Sequence, residues 1–151
     1  MGVIECASGS SCWRGLEYYK KKKIININKI NVNEFYSEVI GNSNYNVYLN
    51  IKNPRKSTCN CPHANGKRII CKHIVATYFS VVPNSASIFE EEQERFEKEF
   101  ENYQNKEYEN FLKFINNMSK KELINEIVTI FDYAPEWVYD DFIRRNDIDG
   151  K

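Results

Sequence analysis

Three thiols and an imidazole crowd one short stretch of the sequence, as Cys59-Asn60-Cys61, nine further residues, then Cys71-Lys72-His73. Two donor pairs joined by a turn-forming loop can close a tetrahedron around one structural Zn²⁺, which takes four N or S ligands with every position filled by protein. Pro62 and Gly66 favour a reversal of the loop, and Ile69-Ile70 then reads as a short strand delivering Cys71 beside the first pair. Residues two apart on an α-helix diverge by about 200°. Cys71 and His73 must therefore straddle the start of the helix expected over 74–79, where free amides favour a thiolate. His63 is the other imidazole in reach, and Cys59, Cys61, His63 and Cys71 form the alternative set. A disulfide reading meets an odd number of cysteines and a polar start that does not resemble a secretory signal. A nucleophilic Cys-His pair is the catalytic alternative. One metal accounts for all four groups, and a tetrahedron filled by protein leaves no position for a reacting water. The expectation is a binding module and not an enzyme, with no small-molecule substrate.

A second group of residues suits phosphate. Arg14, Tyr18 and Tyr19 precede the unbroken run Lys20, Lys21, Lys22 and Lys23, while Lys67, Arg68 and Lys72 surround the metal loop. Lysines neutralise phosphates and tyrosines stack on bases, so this face could hold a nucleic-acid backbone without reading its sequence. The competing account is a solvated helix end, since lysines in a last turn also complement the macrodipole. Cys6 and Cys12 lie far from a ligand set that is already complete, and read as core residues or free thiols.

These groups need a scaffold. Capping residues at 9–11 followed by Cys12, Leu16 and Tyr19 at helical spacing predict a short helix over 9–20. Alternation predicts strands over 24–32, with a bulge near Asn28-Lys29, over 35–40, and over 45–51, where Tyr45, Val47, Leu49 and Ile51 share one face. The result is a three-stranded antiparallel meander whose apolar face is covered by the helix after Cys71. Pro83 and the small polar residues around it suggest a boundary. Beyond it Phe89, Phe96, Phe100 and Tyr103 line one face of a glutamate-rich helix, with a break or bend near Asn105-Lys106. Ser119 and Glu122 form a capping box that starts another helix, and Pro135 opens a last one. That pair is not read as a DNA-binding helix-turn-helix, because its second helix carries Glu136, Asp140 and Asp141. The fold class is thus α+β: a small antiparallel β-meander with a Cys₃His zinc knuckle and covering helix, followed by an acidic all-helical tail ending in a helical hairpin. The domains are 1–85 and 86–151.

The 151 residues carry no formal net charge, yet the charge is divided. Residues 1–85 hold 12 Lys+Arg against 4 Asp+Glu, and residues 86–151 hold 9 against 17, so the two parts stand at +8 and −8. No apolar run approaches the roughly 20 residues that span a bilayer. The chain is expected in a reducing, cytoplasmic compartment, away from membranes.

The Cys59-x-Cys61, nine residues, Cys71-x-His73 pattern resembles the SWIM zinc finger. Upstream, Arg14-Gly15-Leu16-Glu17-Tyr18-Tyr19 resembles the segment leading into the first strand of bacterial SWIM proteins. Downstream, Met118-Ser119-Lys120-Lys121-Glu122-Leu123 and Ala134-Pro135-Glu136 resemble the helical tail of such proteins. The resemblance favours His73 over His63 as the fourth ligand. It implies a module of the kind found in chromatin-remodelling-type helicases, MuDR-type transposases and recombination accessory proteins, regarded as DNA-binding or protein-interaction elements. The implied partner is nucleic acid, DNA in the first place and with weak sequence preference, or a separate DNA-processing protein.

Overall fold

In the computed structural model, which describes residues 2–148, the alternating residues of the first half form an antiparallel sheet in the order β1-β2-β3-β4. The strands are β1 (Ile24–Asn31), β2 (Glu34–Ile40), β3 (Asn44–Asn50) and β4 (Thr58–Cys59). β2 and β3 pair without a slip from Glu34↔Asn50 to Ile40↔Asn44. Their inward positions Phe35, Val39, Val47 and Leu49 are all buried. β1 is irregular, as its sequence suggests. Its register shifts between Ile25 and Asn28, where Asn26 takes a left-handed φ of 51°, and again between Lys29 and Asn31.

The sheet has one strand more than the meander expected. β4 pairs Cys59 with Val47 and Thr58 with Tyr48. The 69–70 segment is not a sheet strand. Ile70 is buried and makes only an isolated parallel bridge to Ala7. A short first helix, α1 (Val3–Cys6), supplies Val3 to the core.

Two helices complete the packing: α2 (Gly9–Lys20) and α3 (Lys72–Val81). α2 buries Cys12, Gly15 and Leu16, and α3 buries Ile74, Val75 and Phe79, so their apolar stripes meet one another and the inner sheet face in one core. Each such aliphatic side chain contributes about 1.5–3 kcal/mol through burial. Gly15 sets the α2–α3 distance, because a Cβ there would lie 2.5 Å from Val75 Cγ1. A buried polar link adds direction. The Ser37 hydroxyl on β2 donates to Thr77 Oγ1 at 2.7 Å, and Thr77 donates onward to the His73 carbonyl at 3.0 Å. Cys12 is buried, and its thiol donates to the Ile4 carbonyl; burial pushes its pKa up.

The chain divides into two compact units, Met1–Glu94 and Arg95–Lys151. The sequence reading placed this boundary at 85/86. The first unit runs on because α4 (Ser85–Asn116) begins inside its core, with Ser85, Ala86 and Phe89 buried. Phe89 packs edge-on against Trp13 at 5.3 Å and against Phe79 at 5.7 Å. α4 is continuous through Asn105-Lys106, where no proline or glycine interrupts its backbone ladder.

The second unit is helical. α5 (Lys120–Tyr133) opens on the expected capping box: Ser119 Oγ accepts from the Glu122 amide at 3.3 Å, and the Glu122 carboxylate accepts from the Ser119 amide at 2.8 Å. α6 (Glu136–Arg145) meets α5 through Phe131, whose ring contacts Tyr139 and Phe142. No described residue of α5 or α6 is buried, and Phe96, Phe100, Tyr103, Phe111 and Phe114 of α4 are exposed.

Candidate metal centre and the basic surface around it

Each donor reaches the site from a different local device. β4 holds Cys59 against β3, and the chain then turns at Cys61, whose carbonyl accepts from the amides of Ala64 at 3.0 Å and Asn65 at 2.9 Å. Gly66 adopts φ +69°, a conformation that costs other residues about 1 kcal/mol or more, and so lets the loop return. Cys71 is the N-cap of α3 in extended conformation, and His73 lies in the first helical turn. The pair thus straddles the helix start, as their spacing requires.

The cluster is Cys59, Cys61, Cys71 and His73, with all four ligand atoms within 4.8 Å of one another and all four residues buried. His63 stands outside it and is exposed. His73 turns Nδ1 to the thiols, 3.6 Å from Cys59 Sγ and 3.9 Å from Cys71 Sγ. Zn–S bonds of about 2.3 Å and Zn–N bonds of about 2.0 Å in a tetrahedron give S···N edges of about 3.6 Å, so the donors have the size and chemistry of one structural zinc. Within the Cys59–Cys71 pair the Cys71 thiol is the one pushed down. A hydrogen bond from Cys59 lowers its pKa, burial opposes, and His73 with the first amides of α3 lowers it further. The same pairing and burial raise Cys59 well above the ordinary thiol range, so a cation must displace its proton. None of the five cysteines is in a disulfide.

The surroundings fix the imidazole. Tyr45 stacks on His73 at 4.4 Å and 21°, and Tyr18 meets it edge-on at 5.3 Å. With Nδ1 turned to the thiols, Nε2 is the ring nitrogen left facing away from them. That atom is buried without a hydrogen-bond partner. His73 also lines a cleft of about 340 Å³ whose wall includes Ser10, Arg14, Tyr18, His63 and Lys72 and, among the described residues, no Asp or Glu.

The basic residues named from sequence lie in several local settings. Arg14, Tyr18 and Lys72 gather at this cleft, with Lys72 Nζ 4.5 Å and Lys23 Nζ 4.7 Å from the Tyr18 ring centre. Lys20 pairs with Glu90 and Lys21 with Glu17, while Lys22 takes a left-handed φ of 51° at the end of α2. Tyr19 packs toward Phe79. Lys67 and Arg68 line a different groove, together with Arg55, Lys56, Tyr36 and Tyr48. The last four were not assigned from sequence. For the two tyrosines the signal was the outward phase of β2 and β3; Arg55 and Lys56 lie on the 3₁₀ turn Pro54–Lys56, where no periodicity marks them.

Comparison with family models matches residues 45–81 to the SWIM zinc finger. This span runs from β3 through the metal loop to the end of α3 and contains all four ligands. Comparison with curated proteins and with solved structures found no match.

Proposed function

With residues 45–81 taken as a SWIM zinc finger, we propose that the chain is a structural-zinc binding module that associates with nucleic acid, DNA in the first place, and is not an enzyme. The observation that carries this reading is the cleft beside the metal cluster. It presents Arg14, Lys72 and His63 and no carboxylate of a described residue, and the positive first turn of α2 contributes Ser10 to it. Such a wall attracts phosphate. Zinc in this account holds the wall in place and stays closed to substrate. The free thiols and the metal suit a reducing, cytoplasmic setting, and no helix among the described residues is long and apolar enough to cross a membrane.

Fluorescence anisotropy on duplex DNA, with salt varied and zinc content measured in parallel, tests the reading. Three to five phosphate contacts give a slope of log K against log salt of about −3 to −4. Neutralising Lys20, Lys21, Lys22 and Lys23 together should lower affinity for all sequences alike while zinc content holds. Loss of less than one unit of slope would remove those four from the contact set, consistent with the pairing of Lys20 and Lys21 inside the fold.

A protein-interaction role is the second reading, favoured by the exposed aromatic residues of α4. Zinc-dependent capture of one DNA-processing protein, with indifference to DNA at low salt, would establish it in place of the first.

A further inference from the structure

We propose that the outer face of the sheet is a second site, a groove for single-stranded nucleic acid in which bases stack on Tyr36 and Tyr48 and phosphates lie on Arg55, Lys56, Lys67 and Arg68. This inference rests on the nucleic-acid reading above and adds a different surface and a strand preference. The groove encloses about 650 Å³ and is separate from the cleft at His73.

Its floor is aromatic. Tyr36 and Tyr48 are register partners on β2 and β3, their ring centres 5.2 Å apart and their planes tilted by 46°, with Tyr36 54% exposed and Tyr48 half-buried beside it. Two large rings held side by side on a solvated sheet face form a platform that any base can stack on. β4 extends the floor, pairing Thr58 with Tyr48.

Its charge is of one sign. Arg55 and Lys56 sit on the 3₁₀ turn Pro54–Lys56 just before β4, which buried Pro54 anchors. Lys67 and Arg68 follow the Gly66 reversal after it. None of these four cations forms an ion pair with a described carboxylate, and no described Asp or Glu lines the groove. The nearest acids on the outer face are Glu34 and Glu38, two positions either side of Tyr36. Glu34 is held by the amides of Asn31 and Asn50 and Glu38 by that of Asn26. Both stand on β2 with Tyr36, and the Asn50 amide that holds Glu34 also reaches the Tyr48 hydroxyl at 3.4 Å, so they repel a phosphate chain from the Tyr36 end and leave it the path along the four cations.

The combination selects an unpaired strand. A duplex offers phosphates but no free ring face, so it could use the cations and not the tyrosines. A single strand uses both. An acidic peptide would use the cations and leave the aromatic floor idle.

The test uses the zinc-loaded full chain and three fluorescent probes: a ten-nucleotide thymidine strand, the same strand annealed to its complement, and a glutamate peptide of equal charge. The single strand should bind with a salt slope of about −3, from four contacts at about −0.7 each. Tyr36→Ala should weaken it by about five- to 150-fold, the range for losing one stacked base, while Tyr36→Phe keeps it and duplex binding is unmoved. Arg55→Gln with Lys56→Gln should flatten the single-strand slope by about one to two units at constant zinc content. Duplex binding that persists while Tyr36→Ala leaves the single strand unaffected would overturn the groove and spare the proposed function. Equal binding of the glutamate peptide, with the same response to each variant, would make the groove a protein contact and overturn the inference. Failure of every nucleic-acid probe at low salt would overturn both.

Discussion

Replacing Gly15 with alanine tests the packing that sets the metal site. Gly15 lies inside α2, and an added Cβ would stand 2.5 Å from Val75 Cγ1, 2.6 Å from Val75 Cβ and 3.0 Å from the Lys72 carbonyl oxygen. Carbon atoms in contact prefer about 3.5–4.0 Å, so α2 and α3 must separate by about 1 Å. Val75 cannot swing aside. It is β-branched, which leaves one favoured χ1 in a helix, and it is 0% exposed. Overpacking of this kind costs about 1–3 kcal/mol. Alanine for glycine within a helix stabilises by about 1 kcal/mol, so the net expectation is destabilisation of up to about 2 kcal/mol. On an open helix the same change would stabilise, which makes the sign decisive. Lys72 lies between two ligands, so pushing α3 outward also draws Cys71 and His73 away from Cys59 and Cys61. Urea melts of the zinc-saturated chain should show a lower midpoint, and competition with a chelator should show weaker zinc binding. Adding Val75→Ala should make the double variant more stable than the two single effects predict. A midpoint raised by Gly15→Ala would refute the close approach of the helices.

Other measurements bear on the rest of the fold. Thr77→Val keeps the shape of the core but strands the buried Ser37 hydroxyl, and should cost about 1–3 kcal/mol by denaturant titration. In the second unit, the hydrogen bond from Ser119 lowers the pKa of Glu122. A depressed carboxylate contributes stability above its unfolded value of about 4.3 that is lost as pH falls through the folded one, so helical content should decline on acidification, and less so in Ser119→Ala. Limited proteolysis should yield a zinc-loaded fragment ending beyond Glu94. Early cleavage at 83–87 would contradict the burial of Ser85, Ala86 and Phe89.

The ligands were legible because they come as two local pairs, and the helix start between Cys71 and His73 follows from angular spacing alone. What escaped was set by contacts distant in sequence. β4 has two residues, too few for alternation to register. The apolar pair Ile69-Ile70 imitated the missing strand because Ile70 is buried, although its only pairing is with Ala7. Pro83 marked a real bend, but Phe89 belongs to the first core through Trp13 and Phe79, and no periodicity announces that partnership. The run of lysines at 20–23 suggested one face, while a helix end distributes neighbours in different directions: Lys20 to Glu90, Lys21 to Glu17 and Lys23 over Tyr18. The alternation over 45–51 leaves Tyr48 on the face opposite Val47 and Leu49, and Tyr36 is its register partner across β2 and β3. Their pairing with Arg55, Lys56, Lys67 and Arg68 depended on where β4 and the Gly66 reversal lie.

The metal ties both basic surfaces to one equilibrium. Cys61, Cys71 and His73 line the cleft with Arg14 and Lys72, and Cys59 lines the groove with Tyr48 and Arg68. Without a cation the three thiols must share protons in a buried site, and the 61–70 loop keeps turn hydrogen bonds, the Ala7–Ile70 bridge and the buried side chains of Ala64 and Ile70 but loses the bond that ties Cys61 to Cys59, Cys71 and His73. Metal binding at such sites contributes on the order of 10 kcal/mol to folding. Chelation should therefore abolish duplex and single-strand binding together, with recovery on returning zinc, although no ligand touches the ion. Cys71→Ser should reproduce the loss without a chelator and retain little metal. Charge variants at Arg55 and Lys56 should weaken binding with zinc fully retained. A metal-free chain that binds DNA with an unchanged salt slope would show that the cleft and groove stand without the zinc cluster, and would overturn the structural role assigned to it.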